Sequence, residues 1–311
     1  MLDALLERFR RGDRLALARL VSLVARGEGV AEALAALGPP RKAARVVALT
    51  GSGGVGKSTL AGKLIEVARR HGRTVAVLAC DPQSPLSGGA LLGDRFRMPA
   101  EPDEGVFIRS LAAAGGRGAL AEHLDALVRL LEAFGFDLVL IETVGAGQGD
   151  TAVRDLVDVL VLLLQPETGD DLQWEKAGLL EVADVVVIHK ADMPGTERAE
   201  AQVLSSLGLS SAPAPPVLRV SARSGEGLER LWEAITAAPL RRGSRTSARE
   251  LLRRAQEAVA ARFATAERGR DPALQALLGR WKRGEVAAEQ AVAALLRLLG
   301  GAQPAGTLKE E

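Results

Sequence analysis

The spacing of apolar residues divides the chain into three parts. Up to about Leu37, apolar residues recur every three or four positions, with breaks at Gly12-Asp13 and at Gly27, which predicts several short helices. Short apolar runs then alternate with amphipathic segments as far as about residue 242, and beyond Arg249 only helical spacing remains. We therefore expect a helical segment at 1–40, a central domain at 41–242 and a helical arm at 243–311.

Seven apolar runs of the central part are predicted strands. They consist mainly of Val, Leu and Ile, which is typical of strands buried on both faces of a mainly parallel sheet. Their alternation with helices predicts an α/β fold in which helices flank the central sheet, with helical extensions at both ends of the chain. The predicted strands are Val46–Thr50, Thr74–Ala79, Val106–Ser110, Leu138–Glu142, Val157–Leu164, Val185–His189 and Val217–Ser221.

The composition limits the classes of partner. Of the 311 residues 47% are hydrophobic and 25% are charged, and a net charge of +1 gives no excess that favours nucleic acid or a membrane surface. The single cysteine, Cys80, excludes an internal disulfide and fits a reducing compartment. No apolar run is long enough to cross a bilayer, and no segment resembles a secretion signal. We expect a cytoplasmic protein that binds neither nucleic acid nor membrane.

A glycine-rich loop stands between the first predicted strand and a helix predicted at Thr59–Arg70. The eight residues from Gly51 to Ser58 fit the phosphate-loop pattern G-x-x-x-x-G-K-[ST], in the strand–loop–helix context that this pattern requires. Glycines allow backbone N–H groups to surround an anion, and the N-terminus of the following helix attracts the same phosphates. A P-loop NTPase site is therefore predicted at Gly51, Ser52, Gly53, Gly54, Val55, Gly56, Lys57, Ser58 and Thr59.

Two side chains of this loop have expected chemical roles. Lys57 is expected to reach the β- and γ-phosphates, and the Ser58 hydroxyl to bind Mg²⁺. Asp81 follows a predicted strand, and Asp94 lies in a glycine-punctuated stretch. Both carboxylates are candidate partners of the ion, with a helix cap as the alternative for each.

A further acidic residue, Glu142, ends a buried predicted strand, and Gly145 follows three residues later. A carboxylate at this place suits an outer-sphere contact to Mg²⁺ or the positioning of water. The Gly145 N–H can bind the γ-phosphate and respond to its loss. Lys57, Glu142 and Gly145 are the expected catalytic residues. Because the sequence shows neither an arginine finger nor a catalytic base near the phosphate loop, we expect slow intrinsic hydrolysis.

The last motif concerns the base. His189-Lys190-Ala191-Asp192 resembles the Asn-Lys-x-Asp guanine motif of GTPases, with histidine in the first position. Asp192 can accept hydrogen bonds from N1 and the 2-amino group of guanine, which adenine does not offer, and the Lys190 stem can lie across the base. The Ser221-Ala222 loop is expected to bring a backbone N–H to guanine O6. GTP and GDP are therefore the predicted ligands, whereas the hydrogen-bond partner of His189 is not identified by the sequence.

Four longer motifs extend this site. They are Asp81-Pro82-x-Ser84-Pro85, Gly88-Gly89-x-x-x-Gly93-Asp94-x-x-Arg97-Met98, Glu142-Thr143-Val144-Gly145-x-Gly147-Gln148 and Gly169-Asp170-Asp171-Leu172-Gln173-x-x-Lys176-Ala177-Gly178. Together they resemble the methylmalonyl-CoA mutase-associated GTPases, the MeaB/ArgK-type family within the metallochaperone-like class of P-loop GTPases. The resemblance covers nearly the whole chain.

This resemblance implies a homodimeric GTPase that docks on an adenosylcobalamin-dependent acyl-CoA mutase, gates the loading of its cofactor and protects it from inactivation. The arm at 243–311 is then the expected dimerisation element. The resemblance also implies that Ser58, Asp81, Asp94 and Glu142 surround Mg²⁺. Finally, it implies a switch that conveys the nucleotide state to the mutase, although Lys176 can also be a solvated helix residue. The switch residues are Gly169, Asp170, Asp171, Gln173 and Lys176.

Two alternative functions stay open. A metal-inserting GTPase of the nickel-enzyme type needs Cys or His ligands, whereas Cys80 stands alone and the histidines His71, His123 and His189 are scattered. An ArgK-like ATPase or kinase linked to amino-acid transport needs to accept adenine, and Lys190-x-Asp192 argues against that. The sequence leaves open whether the mutase is of the methylmalonyl, isobutyryl or ethylmalonyl type.

Overall fold

A seven-stranded, all-parallel sheet forms the centre of the first of two units, Met1–Gly243 and Ser244–Glu311. The computed structural model describes residues 2–37, 43–82, 105–113, 123–143, 153–166, 174–208, 214–240, 255, 259, 262–263, 266 and 271–300. The strand order is β3-β2-β4-β1-β5-β6-β7, which confirms the predicted α/β fold. The strands are β1 (Arg45–Gly51), β2 (Val75–Pro82), β3 (Val106–Ala113), β4 (Leu138–Glu142), β5 (Val159–Leu164), β6 (Val185–His189) and β7 (Val217–Val220).

Helices cover both faces of this sheet. Helices α1, α2, α3 and α5 pack on one face in a core shared with β1, β2 and β4, and α6 and α7 pack on the same face over β5 and β6. Helices α4 and α8 pack on the opposite face. The helices of the first unit are α1 (Leu2–Arg10), α2 (Arg14–Ala25), α3 (Val30–Leu37), α4 (Lys57–Arg70), α5 (Leu124–Phe134), α6 (Trp174–Val182), α7 (Thr196–Leu207) and α8 (Leu228–Ala237).

The apolar runs form strands because each run places side chains alternately in the hydrophobic core on one face of the sheet and in the core on the other face. In β1, Val46 and Ala48 enter the core that contains α5, whereas Val47 and Leu49 enter the core that contains α4. This alternation follows from the two-residue period of a strand, and it requires apolar residues at every position of a strand that is covered on both sides. The breaks predicted at Gly12-Asp13 and Gly27 are confirmed, since they separate α1 from α2 and α2 from α3.

Several element boundaries differ from the predictions: β1 is one residue longer at each end, β7 ends one residue earlier, and the larger differences concern β5, β2, β3 and α4. Strand β5 begins at Val159 rather than Val157, because Arg154–Leu156 forms a 3-10 turn and the Asp158 carboxylate accepts a hydrogen bond from Val46 N at 2.9 Å. Strands β2 and β3 stay paired with each other for about three residues beyond their predicted ends. Asp81 therefore lies inside β2, opposite Ala112, instead of following the strand. Helix α4 begins at Lys57, directly after the phosphate loop.

The second unit contains two described helices, α9 (Pro272–Lys282) and α10 (Ala288–Gly300), which pack against each other. Asp271 caps α9, since its Oδ1 accepts hydrogen bonds from Ala273 N at 2.9 Å and Leu274 N at 3.1 Å. Several large apolar side chains of these helices are exposed: Trp281 by 47%, Val292 by 54% and Leu296 by 51%. None of the helices in the described ranges is both long and apolar enough to span a membrane.

Candidate nucleotide site

The residues predicted to contact a nucleotide come together at the carboxyl edge of the sheet. Gly51 ends β1, Glu142 ends β4, His189 ends β6, and Ser221 directly follows β7. Because all seven strands are parallel, these four ends lie along one edge, with β4 beside β1 and β6 beside β7. This edge is where ligands bind in open α/β sheets.

The backbone of the phosphate loop depends on two of its glycines. Gly51 has a φ of +147°, and a Cβ atom there would overlap the carbonyl oxygen of Leu163 in the adjacent strand. Gly56 has a φ of +99° and precedes α4, and no described side chain caps this end of the helix. The first turn of α4 is a helix N-terminus that directly follows a glycine-rich loop, which is the arrangement that binds phosphate through backbone N–H groups.

Four carbonyl oxygens of the loop accept hydrogen bonds from basic side chains. Lys57 is 7% exposed, and its Nζ donates to the carbonyls of Gly51 at 2.9 Å and Ser52 at 3.1 Å. Lys190 Nζ donates to the Gly54 carbonyl at 3.1 Å, and His189 Nδ1 lies 2.7 Å from the Val55 carbonyl. These donors offset the negative ends of the loop dipoles and so reduce the repulsion that a phosphate would meet.

The predicted magnesium ligands Ser58 and Glu142 meet beside the loop. Ser58 Oγ donates a hydrogen bond to Glu142 Oε1 at 2.6 Å, and both residues are buried. Thr143 fixes the end of β4, since its N–H donates to the Leu49 carbonyl at 3.1 Å. Within the described ranges no group of three or more His, Cys, Asp or Glu side chains is placed to hold a metal. A hydroxyl and a carboxylate are hard oxygen donors, and they fit Mg²⁺, which takes few protein ligands and completes its shell with water and phosphate.

The predicted base-selecting residues also lie together. Asp192 Oδ1 accepts a hydrogen bond from Ser221 Oγ at 2.6 Å, and Ser221 Oγ accepts one from Ser224 N at 3.1 Å. The Ser221 hydrogen bond is the main cause that holds the pKa of Asp192 below its usual value, so this carboxylate is an ionised acceptor at neutral pH. The Ser221 N–H donates to the Glu226 carbonyl at 3.0 Å, and the neighbouring Ala222 is buried.

The structure supplies two contacts that sequence reasoning missed. The partner of His189 is the Val55 carbonyl, 134 residues away in the chain. Lys190 adopts a left-handed backbone conformation with a φ of +58°, and its Nζ donates to Gln165 Oε1 at 2.8 Å as well as to the phosphate loop. The only sequence signal for Gln165 is its place directly after β5. Lys190 therefore joins the phosphate loop to the carboxyl end of β5.

Several predicted residues lie outside the described part of the site. Asp81 and Lys176 belong to β2 and α6, and their side chains are outside the described residues. The other predictions that fall outside the described residues are Asp94, Gly145, Gly169, Asp170, Asp171 and Gln173.

Comparisons with known proteins agree on one family. The family model described as methylmalonyl Co-A mutase-associated GTPase MeaB matches residues 17–272. A putative GTPase of Pyrococcus abyssi is 43% identical over 243 residues, which cover 76% of this chain and 75% of that protein. A fused isobutyryl-CoA mutase of Cupriavidus metallidurans is 40% identical over 193 residues, which cover 60% of this chain and 18% of that protein.

One solved structure is similar over almost the full length of both chains. The crystal structure of an LAO/AO transport system kinase superposes with a TM-score of 0.64 and 27% sequence identity, covering 96% of this chain and 97% of that one. This similarity extends beyond the nucleotide-binding motifs and supports the α/β fold assigned above.

Proposed function

The chain belongs to the family of methylmalonyl-CoA mutase-associated GTPases, and from this premise we propose that it is a slow GTP-hydrolysing chaperone of an adenosylcobalamin-dependent acyl-CoA mutase. In this proposal it docks on the mutase, gates the loading of its cofactor and protects it from inactivation. The observation that carries the proposal is the family match over residues 17–272, together with a phosphate loop and an Asp192–Ser221 base site at the same edge of the sheet.

GTP and GDP are the proposed ligands. The ionised Asp192 carboxylate accepts hydrogen bonds from N1 and the 2-amino group of guanine, and adenine would leave it without them. Because the Ser221 N–H is already bound to the Glu226 carbonyl, the N–H that reaches guanine O6 is that of Ala222. The Ser221 hydroxyl acts on the base indirectly, since it holds Asp192 in place.

The proposed reaction is hydrolysis of the bond between the β- and γ-phosphates of GTP by water, which gives GDP and phosphate. Lys57 neutralises the charge that develops on the phosphate oxygens, and the amides of the phosphate loop bind the same oxygens. Ser58 and Glu142, with Asp81 and Asp94, would hold Mg²⁺, which would supply further positive charge at the β- and γ-phosphates. Glu142 would also position water, and the Gly145 N–H would bind the γ-phosphate.

Slow turnover follows from what this site lacks. In the described ranges no arginine side chain hydrogen-bonds to the phosphate loop, whose carbonyl oxygens bind the side chains of Lys57, His189 and Lys190. An arginine supplied by a partner, or a reordering of switch segments, commonly accelerates GTP hydrolysis by roughly 10³ to 10⁵. The Gly169–Lys176 segment is the proposed switch through which the mutase acts.

The identity of the partner rests on the relatives. The family is described as mutase-associated, and one relative is a fused isobutyryl-CoA mutase that contains a region similar to 60% of this chain. A single polypeptide that carries both regions supports a partner of the acyl-CoA mutase class. The structural similarity to an LAO/AO transport system kinase favours the second candidate, an ATPase or kinase linked to amino-acid transport.

We predict that an adenosylcobalamin-dependent acyl-CoA mutase from the same organism raises the rate of GTP hydrolysis at least about tenfold, because it supplies or orders groups that the free site lacks. Phosphate release would be measured with GTP and with ATP, in the presence of the mutase or of an equal concentration of serum albumin. ATP should give little turnover in either case. An unchanged GTP rate would show that the partner is wrong, and equal use of ATP would support the kinase candidate.

The second unit is the proposed dimerisation element. Val292 and Leu296 are one helical turn apart on α10, and both are more than half exposed, as is typical of a face that another subunit covers. We therefore predict that Leu296→Glu converts the dimer to a monomer of 32.6 kDa, measured by light scattering after gel filtration. Leu204→Glu is the matched control, since Leu204 is equally exposed, at 52%, on α7 of the first unit. A monomeric wild-type protein would overturn the proposed dimer.

A further inference from the structure

His189 makes a specific contact with the phosphate loop. The side chain is 3% exposed, and its Nδ1 lies 2.7 Å from the Val55 carbonyl oxygen. A carbonyl oxygen only accepts hydrogen bonds, so Nδ1 must carry the proton. The imidazole at the end of β6 is therefore a donor that ties the phosphate loop to the sheet.

Packing reinforces this hydrogen bond. A Cβ atom on Gly56 would lie 2.6 Å from His189 Cε1 and 2.7 Å from His189 Nδ1, which is too close for any side chain. The imidazole edge thus rests directly on the loop backbone at Gly56, where the φ of +99° turns the chain into α4. The loop conformation at Val55 and Gly56 depends on the ring in two independent ways.

The second ring nitrogen, Nε2, determines whether His189 can form a hydrogen bond with a purine base. Nε2 is buried and has no hydrogen-bond partner among the described residues. Burial lowers the pKa of His189; Lys190 also lowers it, while the Val55 carbonyl and Asp192 raise it, so the ring is neutral at pH 7 and above. Nε2 is then a lone-pair acceptor. The purine atom N7 is an acceptor as well, and two acceptors form no hydrogen bond.

We propose that His189 is a positioning residue that fastens the phosphate loop to β6 and does not read purine N7, so that recognition of the base is left to Asp192 and the Ala222 N–H. This inference rests on the proposed guanine-nucleotide function. An asparagine at the same position would behave differently, because its amide group carries two N–H donors. One of them can bind the Val55 carbonyl while the other remains for N7.

The test compares GDP with 7-deaza-GDP, in which a C–H group replaces N7. Dissociation constants would be measured at pH 7.5 by calorimetry for the wild-type protein, His189→Asn and His189→Ala. We expect the wild-type protein to bind the two nucleotides within about twofold of each other, whereas His189→Asn prefers GDP by about tenfold, the worth of one added hydrogen bond. His189→Ala should lose at least about tenfold in affinity for both nucleotides while the ratio between them stays near one.

Amide hydrogen exchange of the loop without nucleotide gives an independent readout. Exchange at Val55, Gly56 and Lys57 should accelerate in His189→Ala and stay slow in His189→Asn, which keeps a donor for the Val55 carbonyl. His71→Ala is the matched control, since His71 is an exposed histidine that stacks on Trp232. It should change neither exchange in the loop nor the affinity ratio.

Three results would count against the inference. A wild-type preference for GDP over 7-deaza-GDP of tenfold or more would mean that N7 is read. Unchanged exchange and unchanged GDP affinity in His189→Ala would mean that the ring does not hold the loop. The variant His189→Asn conserves size and polarity. If it left the affinity ratio between GDP and 7-deaza-GDP unchanged, the number of N–H donors on this side chain would not decide whether N7 is bound. If the wild-type protein bound no GDP at all, the proposed function would fail, while hydrogen exchange would still test the loop contact.

Discussion

Asp192→Asn is expected to exchange guanine for xanthine as the preferred base. The Asp192 carboxylate offers two acceptor oxygens, which suit the N1–H and the 2-amino group of guanine. Asparagine replaces one acceptor by an amino donor, which would face the 2-amino donor of guanine. Xanthine carries an oxygen at that position, so it pairs with the new donor. We expect affinity for GDP to fall by roughly 10⁴-fold, the discrimination that hydrogen-bonding sites reach, and xanthosine diphosphate to bind more tightly than GDP.

Competition binding of GDP and xanthosine diphosphate measures this change. Glu226→Gln is a suitable control, because it removes the same charge from an exposed side chain in the Ser221 loop, and the contact that Glu226 makes with Ser221 uses its backbone carbonyl. The control should keep the wild-type preference. Equal loss of both nucleotides in Asp192→Asn would show that Asp192 supports the fold of the loop rather than selecting the base.

Local features of the sequence were enough to predict the sheet and the phosphate loop. Strand β5 is apolar at all six positions and β1 at four consecutive positions, and short runs rich in Val and Leu favour strands that are covered on both faces. The glycines of the loop are likewise a local signal, since the conformations at Gly51 and Gly56 exclude other residues. Parallel strand ends then bring Glu142, His189 and Ser221 to one edge without further information.

Contacts between distant residues could not be predicted in the same way. A histidine nitrogen at position 189 could bind a base or the Val55 carbonyl. The position of the phosphate loop relative to β6 decides between them, and the sequence around His189 or around Val55 does not reveal that position. The hydrogen bond from Lys190 to Gln165 and the mutual extension of β2 and β3 are also set by neighbours in space. The Ser221-Ala222 loop is predicted to offer a backbone N–H to guanine, but the sequence does not show that the Ser221 hydroxyl binds Asp192 while the Ser221 N–H binds the Glu226 carbonyl.

Lys57→Met is expected to slow GTP hydrolysis by roughly 10² to 10³, the usual effect of removing one preorganised donor at a developing charge, and to weaken GTP binding as well. Lys57 is the one strongly buried cation that contacts the loop in the described ranges, and its Nζ bridges the Gly51 and Ser52 carbonyls. Methionine keeps the length of the side chain and removes the charge. The loop would then lose both the bridge and the group that meets the β- and γ-phosphates.

The stability of this variant separates the two roles of Lys57. The variant loses the two hydrogen bonds of the bridge but also the cost of keeping a charge buried, so the midpoint of thermal unfolding should stay within about 3 °C of the wild-type value. Lys63→Ala is the matched control on the same helix, because Lys63 forms only a partly exposed pair with Glu66 at 2.9 Å and should leave hydrolysis and binding within about twofold of wild type. Rates come from phosphate release, and affinities from calorimetry with a non-hydrolysable GTP analogue. Hydrolysis by Lys57→Met at more than a tenth of the wild-type rate would mean that the buried ammonium only braces the loop carbonyls, and that the loop and helix amides bind the phosphates without it.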